Sequence, residues 1–215
     1  MNIGRYRFSL PLAWQEAEKG LKRRHAIGNV MVSDSAVDTL NRTIEKVDAS
    51  AQPLSADQIV SCGRQVLSET PSDLKLPLCI FERFKTLALM DAMVKDFDWT
   101  IEDVSAYRVE VVLNYVREHE ELIPHDAPHI GHLDDAILVD ASTCQLLPEL
   151  ENYTDYRRLR KIEAELQGKP LHEFRYHRGD WLESREAERA LIAYQREQGL
   201  SSFLSGFEVR LFKVH

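Results

Sequence analysis

Three histidines and three aspartates lie within the eleven residues from His125 to Asp135. Side chains of these types bind divalent metals and exchange protons near neutral pH. If His125 and His129, with or without His132, converge with one of Asp126, Asp134 or Asp135, they could hold zinc, manganese or iron. A site with three protein ligands leaves a position for water, which the metal would acidify for hydrolysis.

The same residues also have an explanation that needs no metal. Asp134 and Asp135 stand at the expected start of a helix, where a carboxylate accepts hydrogen bonds from free backbone N–H groups. Pro128 and Gly131 interrupt the regular helical spacing that would make two histidines face one ion. The cluster therefore predicts either a metal site or a stiff turn, and the sequence leaves both open.

The residues around the cluster carry one family resemblance. Leu122-Ile123-Pro124, followed by Pro128, Gly131 and Leu133-Asp134-Asp135-Ala136, resemble the signature of the YkvA-like domains of unknown function. The resemblance covers about residues 106–146 and implies a helical hairpin around the motif. It implies no activity, since the family has none established. The chain departs from the pattern at four positions: His125, Asp126, His129 and His132.

Length and composition bound the fold. With 215 residues, of which 44% are hydrophobic, the chain can bury one sizeable core. We expect a mainly α-helical, single compact domain. Its helical core would cover residues 1–150, and a C-terminal helical extension, 151–215, would end in a strand and pack on the core.

Charge and cysteine content indicate the environment and exclude some partners. The formal net charge of -8 opposes electrostatic binding to nucleic acid or anionic membrane, although basic runs at 22–25 and 157–161 keep nucleic acid as an alternative. Cys62, Cys79 and Cys144 are odd in number and widely spaced, as in a cytosolic protein with reduced thiols. No apolar run reaches the roughly twenty residues that span a bilayer. We therefore expect a cytoplasmic protein without membrane insertion.

Apolar residues recur mainly at helical spacing. Ser35 would cap a helix over 36–48, and Ser55 with Gln58 forms a capping-box pattern before a second helix. Pro148 would end the helix that follows the cluster. The full set of predicted helices is 36–48, 56–69, 78–96, 101–120, 133–147, 152–167 and 184–198.

Both ends of the chain alternate at the strand period, over residues 5–10 and 207–211. A lone strand leaves its backbone groups unpaired. We therefore expect the termini to form a small antiparallel ribbon with each other, or to pair with a second subunit in a homodimer.

The most economical functional interpretation is an accessory or regulatory protein that acts by protein–protein interaction. The alternative is a divalent-metal-binding protein or metal-dependent hydrolase, centred on His125, His129, His132, Asp134 and Asp135. A second polar group, His172, His177 and Asp180 with Trp181, could complete such a site or form an exposed loop.

Overall fold

The computed structural model describes residues 25–117 and 122–197. Within these residues the chain is mainly α-helical, with one small antiparallel sheet, which confirms the predicted fold class. The chain divides into two compact units, Met1–Thr154 and Asp155–His215. No helix in the described part of the chain is both long and apolar enough to cross a membrane.

The elements follow one another in a simple order. Two short strands come first and pair in register, with Ala26 opposite Met31 and Ile27 opposite Val30. Six helices follow in the described ranges. The bounds are β1 Ala26–Ile27, β2 Val30–Met31, α1 Asp34–Val47, α2 Ala56–Glu69, α3 Leu78–Lys95, α4 Asp103–Arg117, α5 Leu133–Leu166 and α6 Arg178–Glu197.

Helix starts follow from local hydrogen bonding. The capping box before α2 is confirmed, because Ser55 and Gln58 satisfy each other's backbone N–H groups. The predicted cap of α1 is wrong: Ser33, and not Ser35, accepts from the N–H of Ala36 at 3.2 Å.

The terminal strands predicted over 5–10 and 207–211 lie outside the described residues.

The prediction that Pro148 ends a helix is wrong. The expected helices over 133–147 and 152–167 are one helix, α5, which runs for 34 residues with the proline inside it. A proline in a helix interior removes one hydrogen bond and costs about 3 kcal/mol. Packing on both sides of the proline must therefore offset that cost.

The packing around Pro148 accounts for the continuous helix. Leu146 and Leu150 are both buried, at 0% and 3% exposure, while Pro148 itself is exposed to solvent. The buried Glu149 accepts a hydrogen bond from the indole N–H of Trp99 at 3.0 Å. Because the proline lies on the solvent side, water can bind the carbonyl that it leaves without a partner.

The core of the first unit forms where α1 and α3 pack on α4 and where β1 packs on α2. Its described residues include a largely buried ion pair. Arg83 of α3, 2% exposed, donates from Nε and Nη2 to the two carboxylate oxygens of Asp140 on α5, at 3.2 and 3.1 Å. Burial raises the pKa of Asp140, and the guanidinium of Arg83 opposes that rise.

In the second unit, α6 begins earlier than the predicted residue 184. Asp180 accepts from the N–H of His177 at 2.6 Å, so the helix starts at Arg178. Trp181 is buried, and its indole N–H donates to Asp155 at 2.9 Å. These contacts make Asp180 and Trp181 structural parts of this unit.

Candidate metal centre

The histidine-rich segment lies between α4 and α5, and we call residues 122–132 the elbow. It is a chain of tight turns, in which Ala127 N–H donates to the carbonyl of Pro124 and Gly131 N–H to that of Ala127, both at 2.9 Å. Leu122 and Ile123 are buried and anchor its first residues. The elbow leads directly into the first turn of α5.

Three side chains of the elbow and α5 converge. His132 Nδ1 lies 3.0 Å from Asp135 Oδ2, and His125 Nε2 lies 3.3 Å from the same oxygen. The centroids of the two imidazole rings are 4.2 Å apart. One ligand atom from each residue lies within 4.8 Å of the other two.

The cluster combines a buried carboxylate with two accessible imidazoles. The side chain of Asp135 is 3% exposed, whereas those of His125 and His132 are 34% and 33% exposed. Burial raises the pKa of Asp135, while its hydrogen bond with His132 and its electrostatic interaction with His125 lower it. The ring of Phe84 on α3 meets His132 edge-on, with centroids 5.0 Å apart, and restrains the imidazole.

His129, although predicted as a ligand, is not part of this cluster. Its backbone has a φ of +64°, and its Nδ1 atom is buried without a hydrogen-bond partner among the described residues. It lines a cavity of about 410 Å³ together with Asp126 and residues of the β1–β2 turn.

Asp134, the other predicted ligand that is not in the cluster, turns toward the protein interior. Its Oδ2 atom accepts from the backbone N–H of Leu122 at 3.0 Å and from the hydroxyl of Tyr115 at 3.2 Å. Burial and the charge of Asp135 raise its pKa to about 6. The sequence singled out the acidic pair but could not indicate that its two members have different partners.

The geometry of the cluster suits a divalent cation. A zinc-like ion about 2.0–2.2 Å from each ligand requires ligand atoms about 3–3.6 Å apart. The distances from Asp135 Oδ2 to His132 Nδ1 and to His125 Nε2, 3.0 and 3.3 Å, already lie in this range. Imidazole nitrogen and carboxylate oxygen are donors that zinc, manganese and iron accept. Without an ion, the carboxylate of Asp135 can accept hydrogen bonds from both imidazoles.

The other reactive side chains are less suited to bind a metal or to act as nucleophiles. His172 is largely exposed, with its Nε2 3.4 Å from Glu173 Oε1. Burial raises the pKa of Cys62 to about 12 and also raises that of Cys79, so neither thiol is a ready nucleophile. Within the described residues, the elbow cluster is the one group of three or more histidine, cysteine or acidic side chains with metal-binding proximity.

Comparison of the chain with protein-family models, with curated proteins and with solved structures gave no match. The resemblance to YkvA-like domains therefore stays a prediction.

Proposed function

We propose that this chain binds a divalent metal ion through His125, His132 and Asp135. The supporting observation is the convergence of two imidazole nitrogens and one carboxylate oxygen within 4.8 Å. The ligands come from two local structures, a turn and the first helical turn after it, so the folded elbow brings them together without a large rearrangement. Zinc, manganese and iron are the candidates that this donor set favours.

Solvent can reach the proposed site, and this determines which chemistry a bound ion could support. About a third of each imidazole is exposed to solvent, so an ion held there can keep water among its ligands. A metal lowers the pKa of bound water to near 7 in zinc hydrolases. Metal-dependent hydrolysis is the reaction class that such a site would support.

Titration calorimetry with Zn²⁺, Mn²⁺ and Fe²⁺ tests the proposal. We expect about one ion per chain in the wild type and loss of binding in His125→Ala and His132→Ala. His129→Asn is the matched control, because it removes an imidazole from the same elbow and asparagine tolerates positive φ. Equal binding by the wild type and the two alanine variants, or no binding by any protein, would contradict the proposal.

A role in protein–protein interaction is the second candidate function. It is supported by exposed apolar side chains at the start of α3, where Leu78 and Phe81 are 60% and 45% exposed and lie one turn apart. Sedimentation velocity over a range of concentrations tests whether the partner is a second copy of the chain. We expect association that Phe81→Glu abolishes; a monomer at every concentration would rule out homodimerisation.

A further inference from the structure

We infer that Asp134 is a positioning residue for the proposed metal site, and the inference rests on that proposed function. Asp134 does not face the cluster. Its contacts instead fix where the elbow starts and thus where His125 lies relative to His132 and Asp135.

The contacts of Asp134 join three parts of the first unit. The oxygen Oδ2 accepts the buried N–H of Leu122, the first described residue of the elbow, at 3.0 Å. The same oxygen accepts the hydroxyl of Tyr115, on the last turn of α4, at 3.2 Å. The residue is 1% exposed, so water does not compete for these bonds. One carboxyl oxygen therefore ties α4 and the elbow to the first turn of α5.

The neighbouring residues Asp134 and Asp135 have different roles. Successive residues on a helix point about 100° apart. Asp134 can therefore reach Leu122 while Asp135 reaches His125 and His132. The elbow is held at its start by Asp134 and meets the cluster three residues later at His125.

Because the backbone of the elbow is tightly constrained, a displacement of Leu122 should also displace the proposed ligands. Gly131 approaches the turn so closely that a Cβ atom there would lie 2.3 Å from the carbonyl oxygen of His125. His129 is held in the left-handed region, at φ +64°. A segment with so little steric freedom moves as a body, so a loss of the anchor at Leu122 should shift His125 as well.

Two substitutions separate positioning from charge. Asp134→Ala removes the acceptor, and we expect Zn²⁺ affinity to fall about 10- to 100-fold, the usual effect of losing a group that supports metal ligands. Asp134→Asn keeps one oxygen, which is enough because both donors bind the same atom, and should retain wild-type affinity. If the negative charge of Asp134 attracted the ion, the asparagine variant would be as weak as the alanine variant.

The measurement is competition for Zn²⁺ between the full chain and a chromophoric chelator, for the wild type and both variants. Helix content by circular dichroism establishes that each variant is folded. If Asp134→Ala does not fold, Tyr115→Phe replaces it, because it removes one of the two bonds and should weaken Zn²⁺ binding while Asp134→Asn does not. Wild-type affinity in the alanine variant or its replacement, or equal weakness in the asparagine variant, would overturn the inference.

A second readout, in metal-free protein, separates this inference from the proposed function. The rings of His125 and His132 have centroids 4.2 Å apart, close enough for a nuclear Overhauser effect between them. We expect that signal in the wild type and in Asp134→Asn, and its loss in Asp134→Ala. If the wild type binds no metal, the proposed function fails, while the ring-to-ring signal still decides whether Asp134 positions the elbow. A signal that persists in Asp134→Ala would overturn the positioning role.

Discussion

Removing one partner of the buried Arg83–Asp140 pair should be costly, and the cost should depend on which partner is removed. The guanidinium is 2% exposed and the carboxylate 16% exposed, and two hydrogen bonds join them at 3.1–3.2 Å. Breaking a buried pair leaves an uncompensated charge and costs about 3–5 kcal/mol. We expect that loss in the free energy of unfolding at neutral pH for both Arg83→Met and Asp140→Asn.

The two variants should differ in their dependence on pH. In Arg83→Met, Asp140 is buried without its cation, so its pKa rises above the wild-type value, which burial already raises. A carboxyl whose pKa is higher in the folded chain destabilises the fold progressively as the pH rises. The cost of Arg83→Met should therefore grow between about pH 5 and about pH 8. In Asp140→Asn no carboxyl titrates at this position and the guanidinium stays charged, so the cost should not grow as the pH rises.

Urea denaturation at both pH values, followed by circular dichroism, measures these free energies. The double variant Arg83→Met with Asp140→Leu is the control, since apolar replacement of a whole buried pair is often neutral or stabilising. We expect it to recover most of the loss seen in either single variant. A cost below about 1 kcal/mol for Arg83→Met at neutral pH, or the same pH dependence in both single variants, would refute the reasoning.

Four further substitutions have definite expected outcomes. In metal-free wild-type protein, Asp134 should lower the free energy of unfolding by about 3 kcal/mol between about pH 4 and pH 7, because its pKa is raised to about 6 and the protonated form favours folding. Asp134→Asn should abolish that decrease. Identical urea curves for both proteins across that range would argue against this. Gly63→Ala should lower the melting temperature, since a Cβ there would lie 2.5 Å from the side chain of Ile27. Gly179→Ala, where an added Cβ would meet nothing beyond the local backbone of the helix, should stabilise helix α6 by about 0.5–1 kcal/mol. Equal shifts of both melting temperatures would contradict that contrast. Gly131→Ala should weaken Zn²⁺ binding measured by calorimetry, because its Cβ would displace the elbow backbone; unchanged affinity would count against the tight turn.

The helices could be predicted largely from local sequence. The capping box of Ser55 and Gln58 lies within four residues and needs no tertiary contact to form. Pro148 is different, because its local effect is to end a helix. Burial of Leu146 and Leu150 outweighs that effect, and no local rule contains this information.

The candidate site was predictable in position but not in composition. Residue types predicted a metal site between His125 and Asp135, and three of the five candidate ligands do converge. The exclusion of His129 and Asp134 depends on backbone angles in the elbow and on the distant hydroxyl of Tyr115. Neither can be read from the spacing of polar residues.

A crystal of the protein grown with Zn²⁺, with anomalous diffraction recorded at the zinc absorption edge, tests the central claim most directly. We expect one anomalous peak bounded by His125, His132 and Asp135, with ligand distances of about 2.0–2.2 Å. A peak at other residues, or none with the elbow folded as described, would contradict it.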